Sequence, residues 1–393
     1  MASRHPKAAP SLTNSSAAGP RKPAAGLRRG PNPGPERPQA GRSPSDPGPG
    51  SVGGGTDETG GPAPDVPTLI RMYYHMALAR ALDERVWNLS RQGAVPFAVS
   101  GRGQEAAQVA LAAALRPGRD YVYPYYRDVA LVLHLGVTAE EIMLAAFGRL
   151  ADPSSSGRQM PNHFSHRRWR IVSGSSPVGT QIPQAAGTAL ACRMQGEDAV
   201  VLVTFGEGAS STGDFHEGLN FAAIHRLPVV FVCENNGYAI SVPERLQVAP
   251  PGMVARAAGY GIAGASVDGT DPVQTYRATA AAVTRARAGE GPTLLEVRVL
   301  RLDPHTSSDD DSTYRPPEER AAMRAADPLP RFRSQLQEAG VITAEELEAL
   351  HAQIAALVDA ATAAAEKSPA PSPADLPRHV YAESPTEVRS WRR

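Results

Sequence analysis

Glu207 stands between Gly206 and Gly208 at the end of an apolar run, Ala199–Phe205 (AVVLVTF). A second apolar run, Pro228–Cys233 (PVVFVC), leads into Glu234-Asn235-Asn236-Gly237-Tyr238. Both runs read as strands of a parallel sheet buried on both faces. The stretch 213–226 between them reads as a helix, giving one β-α-β unit with a right-handed crossover. The 29 positions from Glu207 to Asn236 match the span of a helix and a strand. The two strand tips are therefore expected side by side at the carboxyl edge of the sheet, where open α/β folds bind ligands. A carboxylate, the Asn236 amide oxygen and the Tyr238 carbonyl would make half of an octahedral Mg²⁺ shell, leaving places for phosphate oxygens and water. The flanking glycines let a ligand approach the backbone, and the N-terminus of the following helix favours an anion. The unit reads as a cradle for a diphosphate and Mg²⁺. A dinucleotide turn fits less well, because the third glycine of Gly206–Gly213 comes two residues late for G-x-G-x-x-G. Arg127, beside Tyr125 and Tyr126 in a polar loop, suits a phosphate.

The elements that must position these groups are legible as hydrophobic patterns. Helices are expected over 68–91, 104–115, 128–135 and 138–150, with an aromatic loop at 121–127. A long irregular segment, 151–183, is of the length that usually carries function. After the β-α-β unit, a strand is expected at 265–267, a helix at 272–288 and a strand at 293–299. Asp327-Pro328 breaks the chain, and helices follow over 328–339 and 344–366, the second opened by a Thr343/Glu346 capping box. The expected class is α/β, a mostly parallel sheet flanked by helices, with a helical C-terminal extension. Residues 1–66 form a Pro/Gly-rich basic arm expected to be disordered, with 13 Pro and 12 Gly in its first 65 positions. The α/β domain is expected over 67–326, helices over 327–367 and a flexible tail over 368–393.

Lys+Arg and Asp+Glu number 40 each in 393 residues, so the formal charge is zero. That speaks against a nucleic-acid or anionic-membrane surface, and no apolar run reaches the ~18 residues of a membrane span. Cys192 and Cys233 form no Cys-x-x-Cys pair, which speaks against a disulfide framework or structural zinc and for a reducing compartment.

The segment FGEGASSTGDFHEGLNFAAIHRLPVVFVCENNGYAIS resembles the alpha subunits of the thiamine diphosphate-dependent decarboxylating components of 2-oxo acid dehydrogenase complexes. It carries the family's Gly-acid-Gly and Asn-Asn pair, with Glu where Asp is commoner. YPYYRD, GRQMPNHF (157–164), SSPVGTQIPQAAG (175–187) and PHTSSDDDSTYRP (304–316) resemble the branched-chain members; pyruvate or acetoin dehydrogenase alpha subunits are the alternative. The resemblance implies a thiamine diphosphate-binding fold with Mg²⁺ on Glu207, Asn236 and Tyr238. It implies cofactor contacts at Tyr125, Tyr126, Arg127, Ser176, Val178, Gly206, Glu207, Gly208, Ala209, Asn236, Tyr238, Ala239, Ile240 and His305. It implies a substrate wall of Phe97, Tyr126, Met160, Pro161, Asn162 and His163, and a potassium site at Ser175, Pro177, Thr180 and Gln181. His305 is implied as the catalytic residue, aiding decarboxylation and acyl transfer. The implied partners are a beta subunit, in an assembly of two alpha and two beta chains, and a lipoyl acyltransferase component. The expected location is the cytoplasm, with the mitochondrial matrix as alternative.

Overall fold

The computed structural model describes residues 61–249, 252–378 and 380, all within one unit, Asp57–Arg393. Most of the arm expected over 1–66, and 381–393 of the expected tail, lie outside the described residues. Helix α1 (Val66–Arg91) comes first, then α2 (Glu105–Ala113), strand β1 (Tyr121–Tyr123), α3 (Val129–Leu135) and α4 (Ala139–Ala146). There follow α5 (Gln181–Gln195), β2 (Val201–Gly206), α6 (Gly213–Ile224) and β3 (Val229–Asn235). A small hairpin, β4 (Tyr238–Ala239) and β5 (Val242–Pro243), precedes α7 (Arg256–Gly259), β6 (Ala263–Asp268), α8 (Pro272–Arg287) and β7 (Thr293–Arg298). Helices α9 (Pro317–Ala325), α10 (Pro328–Glu338) and α11 (Ala344–Lys367) close the chain.

The main sheet has the order β1-β2-β3-β7-β6, and every neighbouring pair is parallel. Strand alternation divides the core between two layers. Val201, Val203 and Phe205 of β2 and Val229, Phe231 and Cys233 of β3 pack with Ile182 and Ala186 of α5 and Phe215 and Leu219 of α6. The intervening Leu202, Val230 and Val232 point the other way, into a larger cluster built by α1–α4, α8, α10 and α11. Phe332, Leu336, Leu347, Ile354 and Val358 share that cluster with Met72, Met76 and Leu82 of α1, so the C-terminal helices are part of the domain core. Within this layer Arg80 ties α1 to α2 and to the start of α10: it donates to Glu105 at 2.6 Å and to both Asp327 oxygens at 2.9 Å.

The α/β class and parallel sheet are as expected, and so is the Thr343/Glu346 capping box. Several elements differ from expectation. The aromatic loop at 121–127 begins with a strand, whose three residues pair with Val201–Val203. Helix α5 was not anticipated, since Pro183 and Gly187 lower its helical signal; its buried Ile182, Ala185, Ala186, Ala189 and Cys192 nonetheless share one face. Helix α9 buries no residue fully and so left no apolar stripe. Helix α4 ends at Ala146 because Gly148 takes a left-handed φ of +61°. The start of the expected tail lies against the body: Pro369 O accepts from Leu150 N at 2.9 Å, Glu366 O from Arg149, and Asp375 O and Arg378 O both accept from Arg158.

A pair of histidines links α1 and α3. The rings of His75 and His134 meet edge to face at 4.8 Å, and neither His134 nitrogen has a partner among the described residues. Burial, with His75 and Arg71 adding to it, pushes His134 down to about 2, and burial pushes His75 down to about 4. Both stay neutral when folded, whereas an unfolded histidine protonates near 6.5. The unfolded chain then takes up protons that the folded chain refuses, so this contribution to stability is complete above about pH 6.5 and lost as the pH falls. His134→Leu should therefore lose less unfolding free energy than the wild type between about pH 7 and about pH 5, by about 2 kcal/mol. Urea unfolding at the two pH values measures the difference; equal losses would refute it.

Candidate active site

Strands β2 and β3 end level with one another, Gly206 opposite Glu234. Glu207 follows at once and is fully buried. Its Oε2 accepts a hydrogen bond from the Asn236 N–H at 3.2 Å, while Oε1 has no partner among the described residues. Burial raises the carboxyl above its ordinary pKa, and the backbone hydrogen bonds oppose that shift in part. A buried carboxylate oxygen with no donor is costly unless a cation or proton meets it. Asn236, also buried, accepts the Tyr238 N–H on its Oδ1 at 3.3 Å. The glycine at 208 is required by close approach, because a Cβ there would stand 2.7 Å from that of Ala239. The unpartnered carboxylate oxygen and the Asn236 side chain thus stand together at the strand tips, oxygen donors of the kind a hard divalent cation takes. A five-residue 3₁₀ turn, Glu207–Ser211, intervenes before α6, whose first turn is capped by Thr212.

These tips open into a cavity of about 470 Å³. Its walls include every expected cofactor contact: Tyr125, Tyr126, Arg127, Ser176, Val178, Gly206–Ala209, Asn236, Tyr238–Ile240 and His305. Of the expected substrate wall, Tyr126, Asn162 and His163 border it; Phe97, Met160 and Pro161 do not, and the Met160 side chain is half exposed. Of the expected potassium group, Ser175, Pro177 and Gln181 border it and Thr180 does not. The Thr180 hydroxyl donates to Pro177 O at 3.1 Å, and the Gln181 amide donates to Thr204 O at 3.1 Å. Gly179 and Thr212 also line the cavity and were not anticipated. Gly179 has φ +89°, and a Cβ there would meet the Thr212 hydroxyl at 2.6 Å, so a glycine in an irregular stretch was the available signal. Val178 and Ile240 are each 56% exposed, which leaves apolar surface on the cavity wall for an apolar ring.

Arg127, fully buried, organises the anionic end. Its guanidinium donates to Ser100 O at 2.8 Å, to His305 O at 3.0 Å and to His305 Nδ1 at 2.8 Å. A guanidinium has no lone pair to offer, so Nδ1 must be the acceptor and the His305 proton sits on Nε2. Burial first, then the charges of Arg127 and Arg301, push His305 down to about 4. The imidazole is therefore neutral at neutral pH, with its Nδ1 lone pair engaged by Arg127 and its Nε2–H as the donor. Tyr126 meets its ring edge-on at 6.1 Å and lies under the Arg127 guanidinium. On the opposite wall, His163 Nδ1 donates to Met160 O at 3.0 Å, which leaves Nε2 to accept the Ser176 hydroxyl at 2.7 Å.

The loop carrying His305 is held from behind. Asp309 accepts the His305 N–H at 2.8 Å and the Tyr314 hydroxyl at 2.5 Å. Buried Arg301 donates to the Tyr314 oxygen at 3.0 Å and to Ile240 O at 2.8 Å. Ile240 itself has φ +56°, a strained conformation for a β-branched residue.

A buried carboxyl with an unpartnered oxygen beside a cavity that an arginine–histidine pair also lines, at the carboxyl edge of a parallel sheet, is the arrangement of an α/β enzyme with a ligand site at its strand tips. The chain belongs to the dehydrogenase E1 component family, whose sequence model matches residues 73–374, and its fold is the thiamine diphosphate-binding fold. It is 51% identical over 314 residues to the 2-oxoisovalerate dehydrogenase subunit alpha of Bacillus subtilis, covering 80% of this chain and 95% of that one. It is 38% identical over 322 residues to the mitochondrial 2-oxoisovalerate dehydrogenase subunit alpha of Homo sapiens, covering 82% and 72%. It is 41% identical over 274 residues to the 3-methyl-2-oxobutanoate dehydrogenase subunit alpha of Mycobacterium tuberculosis, covering 70% and 72%.

Because Arg127 adds to burial in holding down the basicity of His305, Arg127→Met should raise the His305 pKa part of the way from about 4 toward 6.5. An NMR titration of the histidine ring carbons reads this directly. A His305 that still titrates near its original value would show that burial alone sets it.

Proposed function

We propose that this chain is the alpha subunit of a branched-chain 2-oxo acid dehydrogenase. Together with a beta subunit it decarboxylates branched-chain 2-oxo acids oxidatively and passes the acyl group to the lipoyl group of an acyltransferase component. The observation that carries this reading is the buried Glu207 carboxylate, with one oxygen unpartnered beside Asn236, facing the cavity that Arg127 and His305 close. Relatives that bear the 2-oxoisovalerate dehydrogenase name match most of the chain. The cofactor is thiamine diphosphate, with Mg²⁺ held by Glu207, Asn236 and the Tyr238 carbonyl. When bound, the cofactor supplies the nucleophilic carbon and the electron sink for decarboxylation.

The protein's own residues do the rest. Arg127, fixed by Ser100 O and His305, supplies positive charge for the diphosphate. The exposed faces of Val178 and Ile240 support the cofactor's rings by apolar contact. Neutral His305, with its proton on Nε2, moves a proton at the reacting carbonyl oxygen and steadies it during acyl transfer. Tyr126, Asn162 and His163 border the substrate. A potassium ion at Ser175, Pro177, Thr180 and Gln181 would use the oxygen lone pairs that the Thr180–Pro177 hydrogen bond leaves open. The assembly is two alpha and two beta chains. A cytoplasmic location is supported by the two buried, unpaired cysteines, and no helix among the described residues is long and apolar enough to cross a membrane.

In the complex reconstituted with the beta subunit, kcat/KM for 2-oxoisovalerate should exceed that for pyruvate by about tenfold or more, the scale on which an apolar pocket separates chain lengths. A preference for pyruvate would move the assignment to the pyruvate or acetoin dehydrogenase alternative. Glu207→Ala should weaken Mg²⁺ binding and cut activity by about 100-fold or more. Unchanged activity in that variant would leave the chain a scaffold without a catalytic centre.

A further inference from the structure

Behind the Tyr126–Arg127 turn lies a layer of polar side chains that do not border the cavity. Gln104 just before α2, Gln108 of α2, Asp128 at the start of α3, Thr204 of β2 and Glu234 of β3 are all fully buried. Tyr125 fixes the turn to this layer, its hydroxyl donating to Gln104 Oε1 at 2.6 Å and its N–H shared between Asp128 Oδ2 at 2.9 Å and Thr204 Oγ1 at 3.0 Å.

Gln108 is the centre of the arrangement. Its Nε2 donates to Arg127 O at 3.0 Å and to Glu234 Oε2 at 3.2 Å, and its Oε1 accepts the Ala130 N–H at 3.2 Å. One amide thus touches the turn that bears Arg127, the first turn of α3, and strand β3 two residues before Asn236. The rest of α2 gives no reason for an amide here: Glu105–Ala113 reads EAAQVALAA, and its remaining positions beyond Glu105 are apolar. A buried amide is tolerated only when bonded, and here it is bonded to both segments that a metal-bound diphosphate must bridge. Arg127 supplies the anion contact on one segment, and Asn236 supplies a metal ligand on the other. A shift of one against the other would spoil the fit of a cofactor that needs both at once.

We propose that Gln108 is a positioning residue for the cofactor, setting the Tyr126–Arg127 turn in register with the strand tip that carries Asn236. The proposal rests on the reading of the cavity as a thiamine diphosphate and Mg²⁺ site.

The test uses the reconstituted alpha–beta complex, titrated with thiamine diphosphate at saturating Mg²⁺ and followed by fluorescence quenching and by activity. Gln108→Met keeps the volume and removes the amide. It should raise the KM for thiamine diphosphate about tenfold, while kcat at saturating cofactor stays within about twofold and the Tm of the cofactor-free complex moves by about 4 °C or less. Should that variant fail to assemble, Gln108→Asn, one methylene short of reaching both partners, is expected to raise the same KM. An unchanged cofactor KM in either assembled variant, a fall in kcat alone, or failure of both variants to assemble overturns the proposal and leaves Gln108 a packing residue. If the wild-type complex itself fails to bind thiamine diphosphate, it is the cofactor reading that falls.

Discussion

The cavity end of this molecule depends on a carboxyl group held away from water. Glu207 is sealed between two strand tips, with one oxygen on the Asn236 amide and the other facing no protein donor. Isolated carboxylates are not kept in such places without compensation, since the Born cost of removing the charge from solvent is several kcal/mol even after relaxation. The parallel sheet makes the arrangement possible. Register between β2 and β3 places Gly206 beside Glu234, so the residues just beyond each strand are bound to meet. Backbone geometry completes it, because only glycine at 208 lets the first tip close against Ala239.

Positive charge is placed around that centre with equal economy. Arg127 reaches the cavity from a turn before α3, and its contact with His305 determines which imidazole nitrogen carries the proton. Arg301 works one layer back, joining the His305 loop through Tyr314 to the hairpin at Ile240. The strained backbone of Ile240 is held by that bond and by the neighbouring β4–β5 pairing. The His305 loop, the hairpin at Ile240 and the Arg127 turn are thus tied to one another through hydrogen bonds of buried side chains, as preorganised sites require.

The chemistry-bearing residues were legible because strands ending in Gly-Glu-Gly and Asn-Asn-Gly leave a strong local signal. Their juxtaposition followed from β-α-β geometry alone. Side chains whose position depends on loops were less legible: Met160 and Pro161 share a motif with Asn162 and His163, yet only the latter two turn into the cavity. The turn at 160–163 decides this, with Asn162 at φ +67° and His163 bonded back to Met160 O, and no periodicity encodes such a turn. Strand β1 and helix α9 were missed for opposite reasons. The first is three aromatic-rich residues long, too short for alternation to show, and the second buries no side chain fully. The polar layer around Gln108 was invisible because an isolated glutamine in an alanine-rich helix looks like a surface residue.

The junction between the chain's end and the 149–158 loop bears on how the protein is made. Arg149 and Arg158 are satisfied by carbonyls of residues 366, 375 and 378, more than two hundred positions downstream. The loop that leads into Asn162 and His163 is therefore braced by a segment that lies beyond every strand of the sheet in the chain, so that brace forms only once residues 366–378 have been added to an already complete set of strands.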